Sequence, residues 1–170
     1  MHKFIKRHWR IIIPIILMLI LFFFSAASAD GSSGISSPIA DWLGLPHAVV
    51  RKTAHFILFA LLGASWYYYL RTLGNFTPGF TSLSSFSFVL LYAFLDELHQ
   101  TFVPGRAGSL SDVMLDATAG IAGIAVFATI YYITRSKEQK QARRKQVDKL
   151  WADNAKLAKK IKKSPKSKKK

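Results

Sequence analysis

Residues 11–29 read IIIPIILMLILFFFSAASA, nineteen positions without one ionisable side chain. About 30 Å of hydrocarbon crossed at about 1.5 Å per helical residue takes roughly 20 apolar residues, and this run supplies them. It shows no two-residue alternation, and an open sheet edge would leave its polar backbone unsatisfied in lipid, so the run predicts a helix. Pro14 falls in the first turns, where a missing N–H costs least. Working outward, the stretches at about 53–70, 82–101 and 112–134 have a similar apolar character. The fold class that follows is an all-α membrane protein, a bundle of four transmembrane helices. The same first run also has the layout of a cleavable signal peptide, with Lys3, Lys6, Arg7 and Arg10 before it and Ala27-Ser28-Ala29 after it. Cleavage would leave three spans and the rest of the topology unchanged.

Charge divides the 170-residue chain into a neutral body and a basic tail. Residues 135–170 hold 16 basic and three acidic side chains, which is +13 of the net +15. A soluble basic domain would carry its charge throughout, so that class is excluded. The absence of cysteine excludes disulfides, thiol chemistry and Cys-type zinc sites. The domain plan is then a basic N-terminus at 1–10, a transmembrane domain at 11–134 and a basic cytoplasmic tail at 135–170. Cations flank both ends, and the positive-inside tendency makes both termini cytoplasmic, which four spans satisfy. Segments 30–52 and 102–111 are then expected outside and 71–81 inside. Trp9, Trp66 to Tyr69, Tyr131 and Tyr132 stand near span ends, where amphipathic rings favour the headgroup level. The serine-rich segment at 30–45 reads as an external loop, with a short interfacial helix around Asp41, Trp42 and Leu45.

Ionisable residues near membrane depth are costly and mark pairing, a cavity or function. Here they collect at the predicted outer level: Arg51, Lys52 and His55 at the second span, Asp96, Glu97, His99 and Gln100 at the third, Arg106 in the next loop, Asp112 and Asp116 at the fourth. Arg51 and Lys52 lie four and three residues before His55, so the three share a helical face. Asp112 and Asp116 are four apart and run into Gly120 and Gly123, a small-residue stripe that lets another helix come close. Pro104-Gly105 and Gly108 make the intervening loop tight, which keeps Arg106 near Glu97 or Asp112.

Two blocks of this cluster, RKTAHF at 51–56 and DELHQTFVPGRAGSLSDVMLDATAGIAG at 96–123, closely resemble the VanZ-like family. The apolar first helix ending in Phe24-Ser25 and the serine-rich loop also look like that family, and the resemblance covers roughly 10–134. One departure is Asp116, where the pattern usually has Asn. The resemblance implies a small multi-pass protein of the bacterial plasma membrane. The family takes its name from an accessory protein that favours teicoplanin resistance without peptidoglycan-precursor remodelling enzymes. It supplies no biochemical activity.

Three readings of the cluster remain open. In the first, Arg51, Lys52, His55, Glu97, Gln100, Arg106, Asp112 and Asp116 bind an anionic lipid or cell-wall precursor headgroup. In the second, Asp96 or Glu97 acts as general base and His55 as acid in a hydrolase or transferase working on a lipid-linked substrate. In the third, the charges only pin helices together. A metal variant would combine His55, His99 and a carboxylate, but no HExxH-like spacing is present, so neither metal nor cofactor is expected. In the tail, Val147, Leu150, Trp151, Asn154, Leu157, Ala158 and Ile161 recur at three or four residues among lysines and arginines, ahead of a Lys-rich end. That pattern is a basic amphipathic helix suited to the anionic inner leaflet, and no nucleic-acid-reading motif accompanies it.

Overall fold

A computed structural model describes residues 8–26, 36–74 and 76–163. Lys3, Lys6 and Arg7, the small-residue run at 27–29, residues 30–35 of the serine-rich segment, Asn75 and the Lys-rich end at 164–170 lie outside them. The described residues form five α-helices and no strand: α1 (Ile12–Ala26, entered through a 3-10 turn at Trp9–Ile11), α2 (Ser36–Leu43), α3 (His47–Leu73), α4 (Pro78–Gln100) and α5 (Leu110–Lys163). Four stretches are long and apolar enough to cross a membrane: Trp9–Ala26, His47–Leu73, Pro78–Gln100 and Leu110–Leu157. The chain is a multi-pass membrane protein, as the hydropathy predicts.

Helix ends differ from the predicted ones for local reasons. Pro46 is the N-cap of α3 and starts it at His47, a turn and a half before the apolar run begins. Gly74, with φ near 120°, ends it after Leu73. Thr77 then caps α4 by accepting the Phe80 N–H, and Pro78 takes the first helical position, where no N–H is needed. The link expected at 71–81 thus shrinks to four residues. Arg71 holds it by donating from Nη1 to the Phe76 carbonyl at 2.6 Å. The expected short helix near Asp41 and Trp42 is α2, which stops before Leu45. Beyond Gly123 no glycine or proline interrupts the chain before Pro165, and α5 continues past its apolar stretch.

The chain divides into two compact units, residues 1–129 and 130–170. In the first, α1 packs against α3 and α4, and those two against each other. Leu21, Phe59, Leu62, Val89, Ala93, Val113 and Ala119 form its core. Lipid gives no hydrophobic reward for pairing helices, so close packing and interhelical hydrogen bonds must hold them. Both are present. Trp66 stacks flat on Phe88, with centroids 3.7 Å apart, and the Tyr92 hydroxyl donates to the Met18 carbonyl at 2.6 Å. The small-residue stripe works as expected. A Cβ on Gly63 would stand 2.6 Å from the Gly120 carbonyl oxygen, and one on Gly123 would run into the Ala60 carbonyl. The expected aromatic belt needs correction at Tyr67 and Tyr69. Both are buried, Tyr67 edge-on to Phe127 and Tyr69 bonded to His8, because α3 extends past them. Ile12, Ile15, Ile16, Leu19 and Phe23 stay exposed and form apolar surface for membrane lipid.

In the second unit, the described residues are helical from Ile130 to Lys163. Arg135 donates to the Tyr131 hydroxyl at 2.9 Å, and Lys156 stands 3.9 Å from Asp153. Val147, Leu150, Trp151 and Leu157 are all exposed.

Candidate functional site

Chain direction alone gathers the polar residues. The end of α1, the start of α3, the end of α4 and the start of α5 meet at one end of the first unit, and they carry Ser25, then Arg51, Lys52 and His55, then Asp96, Glu97 and Gln100, then Asp112 and Asp116.

The innermost group centres on His55. Its Nδ1 lies 3.6 Å from Asp116 Oδ2 and 3.9 Å from Asp96 Oδ2. All three residues are buried, with relative exposures of 7%, 4% and 2% for His55, Asp96 and Asp116. Phe24 and Phe59 lie against the imidazole, with centroids 5.7 and 6.1 Å away. Ser25 Oγ donates to Asp96 Oδ2 at 2.7 Å, Gln100 Nε2 donates to the same oxygen at 2.9 Å, and Gln100 also reaches Ser25 Oγ at 3.5 Å. A carboxylate at this depth is costly unless hydrogen-bonded, and Asp96 meets that condition. At Asp116 one oxygen, Oδ2, is buried with only His55 Nδ1 facing it beyond normal hydrogen-bond length, and His55 Nε2 is buried without a hydrogen-bond partner.

A second layer is built on the 101–109 loop. Gly105, at φ 74°, supplies the left-handed turn after Pro104, and Val103 is buried beneath it. At Gly108 a Cβ would approach the Glu97 carbonyl oxygen to 2.9 Å, so only glycine lets the loop pass this close to α4. Glu97 Oε2 accepts the Ser109 N–H at 2.8 Å and ties α4 to the start of α5. Lys52 Nζ pairs with Asp112 Oδ1 at 2.5 Å across α3 and α5. Arg106 is half-buried, and its Nε and Nη1 have no hydrogen-bond partner. Burial and the neighbouring Arg51 guanidinium lower the Arg106 pKa from the ordinary arginine value, while Asp96 and Glu97 oppose that shift; arginine still stays charged at neutral pH.

Arg51, His55, Glu97, Gln100, Asp112, Leu115 and Asp116 line one polar cleft. About 20 Å³ of it admits the centre of a water-sized body, which is room for a water or a single ion. Six of the eight residues expected in a binding site therefore share this lining. Lys52 joins through Asp112, and Arg106 sits close enough to interact electrostatically with Arg51 and Glu97.

Arg106 lies near Glu97, as the tight loop predicts, without an ion pair to it or to Asp112; Glu97 is committed to a backbone N–H and Asp112 to Lys52. His99 belongs to another face, stacked on Phe22 at 4.6 Å, which rules it out as a partner of His55 in any metal set. The group that does come together is His55, Asp96 and Asp116, one donor atom from each lying within 4.8 Å of the others. Its members sit on three different helices, so no local spacing announces it. Ser25 went unread as a site residue because a serine closing an apolar run looks like the end of a span. Its signal is that it stands at the level of the acids once the spans alternate in direction.

Comparison with known proteins adds one finding. The chain matches the model of the VanZ/LLP1 family over residues 10–131, most of its length. No curated protein and no solved structure matches it. The chain belongs to the VanZ/LLP1 family.

Proposed function

Starting from a VanZ/LLP1 membrane protein with a polar cleft at one end of its bundle, we propose that the cleft receives the anionic headgroup of a lipid or of a cell-wall precursor. The observation that carries this reading is the pair Arg51 and Arg106. These guanidinium groups lie near each other, and neither forms an ion pair with a carboxylate among the described residues. Two buried Arg106 nitrogens lack acceptors, a cost of about 1–3 kcal/mol per group that a phosphate or carboxylate would remove. Guanidinium groups recognise such oxyanions with two parallel hydrogen bonds. The interior of the cleft has room only for a water or a single small ion, so the phosphate or carboxylate would sit at the mouth, against Arg51 and Arg106.

The cleft faces away from the cytoplasm in this reading. Arg10 and Arg71 stand at the opposite end of the bundle, at the start of the first span and the end of the second. The positive-inside tendency turns that end towards the cell interior, with both termini cytoplasmic in a bacterial plasma membrane. The basic tail, with its exposed Val147, Leu150, Trp151 and Leu157, then adsorbs to anionic inner-leaflet lipid. Sequestering a cell-wall precursor headgroup would alter susceptibility to glycopeptides such as teicoplanin.

One observation favours a second reading. A histidine flanked by two carboxylates, His55 with Asp96 and Asp116, is suited to proton transfer, and an intramembrane hydrolase or transferase on a lipid-linked substrate would use it.

The test is binding of labelled anionic lipid to the full chain in nanodiscs. Arg106→Ala should weaken binding at least about tenfold, roughly 1.4 kcal/mol, with unchanged helicity. Arg106→Lys should restore only part of it, because a point charge lacks the bidentate fork. Equal binding by wild type and Arg106→Ala removes the reading. Turnover of a lipid-linked phosphate, lost in Asp96→Asn, would favour the second.

A further inference from the structure

We propose that His55, Asp96 and Asp116 form a binding site for one divalent metal ion of the Zn2+ or Mn2+ class. The inference stands on those three side chains and does not need the headgroup reading.

Distances carry the argument first. A hydrogen bond or tight ion pair would draw His55 Nδ1 and the carboxylate oxygens to about 2.7–3.0 Å. They stand at 3.6 and 3.9 Å instead. Ligands bound to one cation at about 2.0–2.2 Å are held apart by roughly 3.0–4.4 Å. The three donors lie within 4.8 Å of one another, close to that spacing.

Unpartnered groups carry it next. Asp116 is 2% exposed and lines the cleft, and its Oδ2 has no hydrogen-bond partner. A buried carboxylate oxygen without a hydrogen bond of normal length is costly, and a cation is the partner its charge calls for. At Asp96 the carboxylate is held in place through Oδ2. Ser25 and Gln100 fix its orientation, the hydrogen-bonded support that metal-binding carboxylates characteristically have. The adjoining cleft has room for a water, which leaves an open coordination position.

Charge balance points the same way. Around the cleft stand four carboxylates (Asp96, Glu97, Asp112, Asp116) and three fixed cations (Arg51, Lys52, Arg106), a net of −1 with His55 neutral. A divalent ion turns that into +1. If the cleft does receive an anionic headgroup, the metal removes the repulsion from its two innermost acids. One imidazole nitrogen with two carboxylate oxygens is a mixed donor set, which suits Zn2+ or Mn2+ better than Ca2+. Without cysteine, no thiolate competes for zinc.

The experiment measures the metal itself. The full chain, purified in mild detergent, is stripped with chelator and equilibrated with Zn2+ or Mn2+. Bound metal is counted by mass spectrometry and the thermal midpoint is recorded. Wild type should retain about one equivalent of at least one of the two ions and melt higher with it. Asp116→Asn and His55→Gln should each lose at least tenfold in affinity, while His47→Ala, altering a histidine elsewhere, should bind as wild type. Retention of neither ion by folded wild type overturns the proposal, as does full retention by both site variants. If the variants do not fold, the wild-type complex decides: the electron spin-echo spectrum of the Mn2+ form, or the X-ray absorption fine structure of the Zn2+ form where only zinc is retained, must show one imidazole ligand, and its absence overturns the site. Labelled-lipid binding is read on the same samples. Metal bound with no lipid sinks the headgroup reading alone; lipid bound with no metal sinks this one alone.

Discussion

Replacing Gly123 with alanine tests whether the close approach of α5 to α3 sets the geometry of the polar site. A Cβ at this position collides with the Ala60 carbonyl, which is helix backbone and cannot rotate aside. The neighbouring contact sets a scale. A Cβ on Gly63 would stand 2.6 Å from the Gly120 carbonyl oxygen, where a carbon-to-oxygen contact needs about 3.3 Å, so the helices would have to part by roughly 0.7 Å. The Gly123 collision is more severe. Overpacking of this kind costs about 1–3 kcal/mol, and each kcal/mol lowers the melting midpoint of a chain this size by roughly 2–4 °C. Gly123→Ala should therefore melt roughly 2–12 °C below wild type in one detergent. Asp116 lies two helical turns before Gly123 on α5, so parting the helices also moves its carboxylate away from His55 Nδ1. Thermal stability and metal affinity should fall together. Gly79→Ala is the internal control, because nothing lies within 4 Å of its Cβ and its backbone is unstrained. A Gly123→Ala protein that melts with the wild type, or a Gly79→Ala protein that falls as far, would refute the reasoning.

Two further substitutions probe the hydrogen bonds that build the site. Ser25→Ala removes a 2.7 Å bond to the buried Asp96 carboxylate and should cost about 1–3 kcal/mol in unfolding free energy. A double-mutant cycle with Asp96→Asn should show coupling above about 0.5 kcal/mol, and simple additivity would mean that the bond contributes nothing. Glu97→Ala frees the Ser109 N–H and should speed amide exchange there by about tenfold, whereas Glu97→Gln keeps an acceptor and should exchange like wild type. Equal exchange in all three proteins would remove Glu97 as the tether of the loop.

What the sequence made legible, and what it hid, follows the range of each interaction. Span number and class rest on runs of apolar residues, and these read directly: 11–29 needs no partner to be understood. The glycines at 120 and 123 were legible because a small-residue stripe has a helical period. Helix ends were less so. Hydropathy marks where lipid ends, but Pro46 and Gly74 decide where α3 does, and they lie outside the apolar window. The site was half legible. Four spans of alternating direction bring the ends of the first and third to the starts of the second and fourth, which is enough to gather the acids, His55 and Arg51. Rotation of each helix about its own axis is not written in any local pattern. It sends His99 to Phe22 and brings Ser25 onto Asp96, and only the packing of all four helices fixes it.

The arrangement also weighs against a cluster that exists only to pin helices. Such a cluster would pair each buried acid with a fixed cation, since an unpaired charge at this depth costs more than a paired one gains. Only Lys52 and Asp112, the more exposed members, are paired that way. Asp96 and Asp116, the deepest acids, face a histidine, while Arg51 and Arg106 stand close enough to repel each other, with no ion pair among the described residues. The chain holds the charges needed for better internal pairing and keeps them apart. Structures depart from local optima mainly at functional or strained positions. Both departures here are the kind that ligands resolve, the acids by a cation and the guanidinium groups by an anion, and both occur at one end of one bundle.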